Sequence, residues 1–393
     1  MGVSLTESTG YKVDWLAFTI KLKKIYDYSN AIRKVTDYLG YDLSLFQETG
    51  GRYFYNCGLV LGSYVNIYFN DPKRAGKVNQ NNLSINFQFT GVGCTDIADR
   101  LEERYESKDF EKNWLKFLTF LKQIGAKFTR TDWALDIFTD KYFLLDDWEK
   151  YLKKGWYVSN KKTFNINRGS DQKGNSRGLC YYIGSMPKGG AGAAGLEYLR
   201  GYDKKAQFDA KGDLLPERAR NSGFWQRLEI QFTKKHAEAV IEQFLKEKSF
   251  GSVYFGHLKG LISFVEPTRN RNGNLYRRKD KWKLASWWAD FIEDVPKIAV
   301  GDSSDMREIS LAELLRWIKI AVVPSLQLLQ AIGEKKNFDI YQMIQNVDAP
   351  IGKKRKKIYY DSLAIPQETI DKYIRSFIGV NVTDIPEKGS GSK

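Results

Sequence analysis

Alternating and helical spacings of apolar residues organise the chain into strands and helices as far as about residue 300. Val13–Lys21 (VDWLAFTIK) alternates as a strand, and Ser29–Leu39 follows as a helix with Asp27 or Ser29 available as N-cap. Arg52–Leu61 and Ser63–Asn70 form a hairpin pattern around Gly62. Leu83–Thr90 alternates again, and Gly91-Val92-Gly93 is expected to end it. Asp96–Arg104 and Asp109–Ile124 have helical spacing, the second burying Trp114, Phe117, Leu118 and Leu121. Ala126–Phe138 is the next strand, followed by a helix near Asp146–Lys154. Thr163–Asn167, Leu179–Gly184, Glu197–Asp203 and Phe224–Phe232 make a second strand-rich section, and His236–Lys246 is a helix.

This order predicts an α+β fold, a large antiparallel-rich central sheet flanked by helices, with a small helical C-terminal region. Leu311–Ile320 and Ser325–Ile332, separated by Pro324, supply that region. Gly301-Asp302-Ser303-Ser304 is the expected linker, giving domains at 1–300 and 301–386 and a polar tail at 387–393. The Gly/Ala-rich stretch Met186–Gly195 is an expected loop, and it lacks the G-K-[ST] of a phosphate-binding P-loop.

Charge changes the picture. Lys and Arg total 62 against 47 acids, a formal net charge of +15, which favours a polyanionic partner, nucleic acid first. Anionic membrane surfaces and acidic proteins stand as alternatives. No run of eighteen apolar residues appears, so no membrane span is expected. Cys57, Cys94 and Cys180 lack the spacing of a zinc site, and an odd, scattered set suits a reducing, cytoplasmic setting.

Three segments carry candidate chemistry. In T-R-T-D-W-A-L-D (129–136), strand alternation puts Arg130, Asp132, Ala134 and Asp136 on one face and Thr131, Trp133 and Leu135 on the other. In W-Q-R-L-E-I-Q-F (225–232) it groups Arg227, Glu229 and Gln231. If the two strands meet, Asp132, Asp136 and Glu229 make an all-oxygen set suited to Mg²⁺ or Mn²⁺. The alternative is a solvated face laced with Arg–carboxylate pairs. The only histidines, His236 and His257, form no H-x-H or H-x-x-x-H arrangement, which leaves little support for His-metal, Ser-His-Asp or Cys-His chemistry. The third segment is E-Y-L-R-G-Y-D-K-K-A-Q (197–207). A phenol with a pKa of about 10 is a poor nucleophile unless its anion is stabilised. Arg200 and Lys204 flank Tyr202 and could do so, and Tyr198 shares their face; both tyrosines could equally be edge-strand aromatics.

Six motifs occur in order: D-W-L-A-F-T, F-T-G-V-G-C, T-R-T-D-W-A-L-D, Y-Y-I-G-S, L-R-G-Y-D-K and W-Q-R-L-E-I-Q. Together they resemble the replication-initiation-factor family, which includes rolling-circle initiators of Gram-positive plasmids, relaxases of conjugative elements and initiators of filamentous phages. The similarity spans roughly residues 13–300, and W-I-K-I-A-V-V-P-S-L looks more like the phage branch than the plasmid branch. The resemblance implies a nicking–closing enzyme with a sheet-centred core, a nucleophilic tyrosine and a carboxylate-held divalent metal. Its Y-[DE]-K tyrosine corresponds to Tyr202, and a second tyrosine of some members corresponds to Tyr198. The stretch between Ser185 and Leu199 is longer than the family pattern, so both tyrosines stand as nucleophile candidates.

The implied mechanism binds single-stranded and hairpin origin DNA, and Tyr202 attacks to leave a 5′-phosphotyrosine and a free 3′-OH. Asp132, Asp136 and Glu229 would hold the metal, while Arg200, Lys204 and Arg227 stabilise charge on phosphorus. A host helicase, a polymerase and a second copy of the chain are candidate partners. Origin contacts are expected from Arg130 and from Thr268–Lys283, where Arg269, Arg271, Arg277, Arg278, Lys279, Lys281 and Lys283 accompany Tyr276 and Trp282; Lys353–Lys357 is a weaker case. Leu311–Ile332 is a candidate helix-turn-helix-like pair. The rivals are a catalytically silent DNA-binding regulator and a hydrolytic metal nuclease. RNA binding is disfavoured, since no aromatic RNP-type motif occurs.

Overall fold

A computed structural model describes residues 9–74, 83–170, 176–184, 197–210, 215–298, 300–301, 315, 318–346, 363 and 367–378. Apolar alternation builds the strands that matter most: β1 (Thr9–Lys21), β2 (Gln47–Gly50), β3 (Cys57–Leu61), β4 (Val65–Phe69), β5 (Ser84–Phe89) and β6 (Ala126–Ile137). After β7 (Tyr157–Val158) come β8 (Phe164–Ser170), β9 (Ser176–Ile183), β10 (Glu197–Asp203) and β11 (Gln226–Thr233). Ten of these strands form one sheet in the order β2-β3-β4-β5-β1-β6-β11-β10-β9-β8. Val300–Gly301 adds a short parallel strand on β1, with Gly301 opposite Tyr11. Gly301 therefore belongs to the sheet and is not linker; Asp302–Ser304 lie outside the described residues.

The helices are α1 (Tyr28–Tyr38), α2 (Gly91–Tyr105), α3 (Phe110–Gln123), α4 (Leu145–Lys154), α5 (Lys204–Asp209), α6 (Glu217–Ser222), α7 (Lys235–Glu247) and α8 (Phe250–Leu261). Gly91-Val92-Gly93 follows the end of β5 at Phe89, as expected, and also opens α2: a Cβ at Gly91 would stand 2.9 Å from Asp14 Oδ1, and one at Gly93 2.4 Å from Tyr64 O, so these glycines permit close approach. Helix α8 (FGSVYFGHLKGL) went unseen because it is apolar nearly all round and rich in glycine, which leaves no polar stripe to mark its period.

One face of the sheet is core. Trp133 stacks on Phe250 with ring centroids 4.1 Å apart, and Leu135, Leu228, Ile230 and Phe232 are fully buried beside it. These packed side chains fix the phase of β6 and β11, and hence which residues face the other way.

The chain divides into Met1–Met306 and Arg307–Lys393. In the second unit the described helices include Val323–Lys336, with Pro324 in its first turn, and Ile340–Gln345. A π-helical stretch, Ile318–Val322, leads directly into the first of these, so Pro324 lies within a helical run and does not separate two elements. Most of Leu311–Ile320, all of Lys353–Lys357, the loop Met186–Gly195 and the tail lie outside the described residues.

Candidate functional site

Register brings the three candidate segments together. β11 pairs antiparallel with β6, setting Arg227 opposite Asp136, Glu229 opposite Ala134 and Gln231 opposite Asp132. β10 pairs with β11 from the other side, setting Tyr198 opposite Gln231, Arg200 opposite Glu229 and Tyr202 opposite Arg227. The expected polar faces therefore coincide on three adjacent strands.

That face is not solvated. Asp132, Asp136, Glu229 and Arg227 are 1%, 0%, 1% and 3% exposed, so every charge needs a partner. Asp136 accepts from Arg227 Nε at 2.6 Å, Arg227 Nη2 at 2.7 Å and Trp225 Nε1 at 2.7 Å. Asp132 accepts from Arg130 Nε at 3.0 Å and Nη2 at 2.6 Å. Arg200 Nη2 bonds Glu229 Oε1 and lies 3.7 Å from Asp132 Oδ2, bridging the two carboxylates. Burial pushes the Asp132 carboxyl up to about 7, against the pull of Arg130.

The two tyrosines differ. Tyr198 is buried and donates to Gln231 Oε1 at 2.7 Å. Tyr202 is half-buried and donates to Glu229 Oε2 at 3.1 Å, a carboxylate able to take its proton. Burial raises the Tyr202 phenol well above its ordinary value; Arg227 opposes this, and Glu229 adds to it. Lys204 lies beside Tyr202, its Nζ 5.5 Å from that ring centroid, 5.3 Å from Phe208 and 5.9 Å from Trp225. Burial, then the neighbouring Arg227, pushes the Lys204 ammonium down to about 7.

Sequence reasoning missed Asp14 and Lys12. Arg227 Nη1 donates to Asp14 Oδ1 at 3.0 Å, and Lys12 Nζ lies 3.2 Å from the same oxygen. Burial would raise the Asp14 carboxyl, but Arg227, Lys12 and Lys204 outweigh it and hold it below the usual carboxylate range. The cause is a bulge: Val13 pairs with Trp133 and Trp15 with Asp132, so Asp14 is the extra residue. Core positions run Tyr11, Val13, then Leu16, Phe18 and Ile20, one step out of phase. A single acid breaking an apolar strand was the available signal.

The donor chemistry of Asp132, Asp136 and Glu229 suits a divalent ion, but their placement does not. Four residues of strand separate Asp132 from Asp136 by about 13 Å, whereas Mg²⁺ ligands lie ~2 Å from one point. Each carboxylate is also bonded to a guanidinium. The expected one-ion centre is therefore replaced by arginine-bridged pairs, and no group of three His, Cys, Asp or Glu suited to a metal occurs among the described residues. The alternative of Arg–carboxylate pairing is what the bonds form, though buried and not solvated.

Arg130 is tied to Asp132 and lies over the Trp15 ring at 4.2 Å, so it belongs to this network. Arg269, Arg271, Arg277, Arg278, Lys279, Lys281 and Lys283 are exposed on the segment joining Ser263–Glu266 to Lys283–Leu284. Trp282 Nε1 donates to Tyr276 O at 2.8 Å, which orders that segment, and Arg278 pairs with Asp280. Both histidines meet Glu197 on the core side of β10: His257 Nδ1 at 2.6 Å and His236 Nδ1 at 3.8 Å.

The chain is 25% identical over 318 residues to the protein named "Putative DNA relaxase NicK" of Bacillus subtilis (strain 168), covering 79% of each chain. Its fold is similar to that of a rolling circle replication initiator protein from Geobacillus stearothermophilus, with a TM-score of 0.54 and 22% identity, over 76% of this chain and all of that one. The family described as replication initiation factor matches residues 126–344, more than half of the chain and the whole of β6, β10 and β11. With those strands carrying the carboxylates, arginines and Tyr202, the chain belongs to the replication initiation factor family.

Proposed function

We propose that this protein nicks one DNA strand at a replication origin by attack of Tyr202 on a phosphodiester, forming a 5′-phosphotyrosine and freeing a 3′-OH. The observation that carries the reading is the Tyr202–Glu229 hydrogen bond at 3.1 Å, a phenol paired with a buried carboxylate beside arginines. The names of the relatives, a DNA relaxase and a rolling-circle initiator, point the same way.

Burial makes the free phenolate costly, so the proton moves only as a phosphate arrives. Glu229 takes it, acting as general base. Arg200 Nε is buried without a partner among the described residues, a donor in reserve for an oxygen of the transition state. Arg227 stabilises the phenolate side through its charge. Tyr198, committed to Gln231, is the weaker nucleophile candidate. Single-stranded or hairpin origin DNA is the substrate, and the freed 3′-OH suits a polymerase. A divalent ion is part of what the family resemblance implies.

The test is covalent capture of a 3′-labelled origin oligonucleotide. Tyr202→Phe is expected to abolish the adduct and Tyr198→Phe to retain it. Adduct formed by Tyr202→Phe would overturn the nucleophile, and cutting without adduct by the parent protein would favour a hydrolytic nuclease.

A further inference from the structure

Reading the site as a tyrosine transesterification centre leaves one proton unaccounted for. As Tyr202 Oη bonds to phosphorus, the P–O3′ bond breaks and O3′ leaves with the electron pair. An alkoxide is a poor leaving group at neutral pH, so a proton has to reach O3′ as the bond breaks. The tyrosine's own proton goes to Glu229 on the attacking oxygen.

Few groups nearby can give a proton. Arg130, Arg200 and Arg227 do not, since a guanidinium holds its protons above pH ~12. Both oxygens of Asp132 are bonded to Arg130, and both oxygens of Asp136 to Arg227. Lys204 differs from all of them. It follows Tyr202 by two residues at the start of α5, whose N-cap Asp203 accepts from Ala206 N at 2.8 Å, so its backbone is fixed relative to the nucleophile. Its Nζ sits over the Tyr202, Phe208 and Trp225 rings and donates to Gln207 Oε1 at 2.8 Å, an uncharged partner that leaves the ammonium free to act.

We propose that Lys204 is the general acid that protonates the departing 3′-oxygen during nicking, and the base that deprotonates the 3′-OH during closing. In nicking the lysine ends neutral and O3′ ends as a hydroxyl; closing reverses both transfers. Arg227 and Lys12 oppose its charge, Asp14 and Asp136 favour it, and burial tips the balance towards easy proton release. Its ordinary value of about 10.4 would make it a far weaker donor.

The test compares a scissile 3′-oxygen with a 3′-bridging sulfur, whose thiolate leaves without a proton. Lys204→Arg keeps charge and reach but cannot give a proton, and Lys204→Met removes both. On the oxygen substrate each variant is expected to form the covalent adduct about 10²-fold or more slowly. On the sulfur substrate each is expected to fall within a few-fold of the parent, which also shows that the variant is folded. Equal losses on both substrates would overturn the proposal and leave Lys204 as a phosphate contact. Tyr202→Phe run beside them tests the transesterification reading separately, since an adduct there sinks that reading whatever the sulfur substrate does.

Discussion

Glu229 and Tyr202 are diagonal neighbours across the β10–β11 pair, the phenol donating to a carboxylate oxygen 3.1 Å away. Glu229→Gln keeps the acceptor and the shape but removes the basicity. The variant is expected to slow covalent capture about 10²- to 10⁴-fold. DNA affinity, measured by fluorescence anisotropy, is expected to change little. Capture at the parental rate would mean that the proton goes elsewhere.

Asp136 is structural before it is chemical. Its removal leaves buried Arg227 with Asp14 as its remaining carboxylate partner and two guanidinium donors unpaired, so Asp136→Ala is expected to cost up to about 3–5 kcal/mol in urea denaturation. Because strand geometry separates it from Asp132, Asp136→Asn is expected to leave Mn²⁺ affinity, measured by calorimetry, unchanged. A marked drop in affinity would show that the two carboxylates share an ion.

Lys204 gives a stability signature as well. An unfolded lysine titrates near 10.4, whereas this one titrates at about 7 in the fold. Between those values the unfolded chain holds the proton and the folded chain does not, so stability rises with pH from about 7 towards about 10. Below 7 both states hold it and the cost of burying the charge is complete. Lys204→Met is expected to flatten that slope in denaturation curves at pH 6 to 10.

The exposed basic segment makes a separate prediction. Replacing Arg277, Lys281 and Lys283 by Ala is expected to shrink the slope of log K against log salt by about one unit per residue. Arg278 is already paired with Asp280, so Arg278→Ala is expected to matter less. A salt slope that does not change would remove this segment from the DNA contact.

The sheet and its site were legible to different depths. Alternation fixed the faces of β6 and β11, because one face of each is packed core and a slip would bury the wrong residues. That the faces of 130–136 and 227–231 would meet followed from the same logic. Partner choice did not: Asp136 takes Arg227 and Asp132 takes Arg130 because of strand register, which a single sequence leaves open. Asp14 stayed hidden because a bulge puts it out of the strand's own rhythm. Helix α8, which supplies Phe250 under Trp133, lacks the polar stripe that betrays a surface helix.

The bonded network has a consequence for how DNA is found. Asp14, Asp132, Asp136 and Glu229 are matched by Lys12, Arg130, Arg200 and Arg227, so the reaction centre is close to electroneutral. The chain's excess of +15 is therefore carried by other surfaces, the exposed 268–283 segment among them. Long-range attraction and bond-making fall to different parts of the molecule. Added salt should then slow the encounter with DNA while leaving the rate within an already formed complex nearly constant.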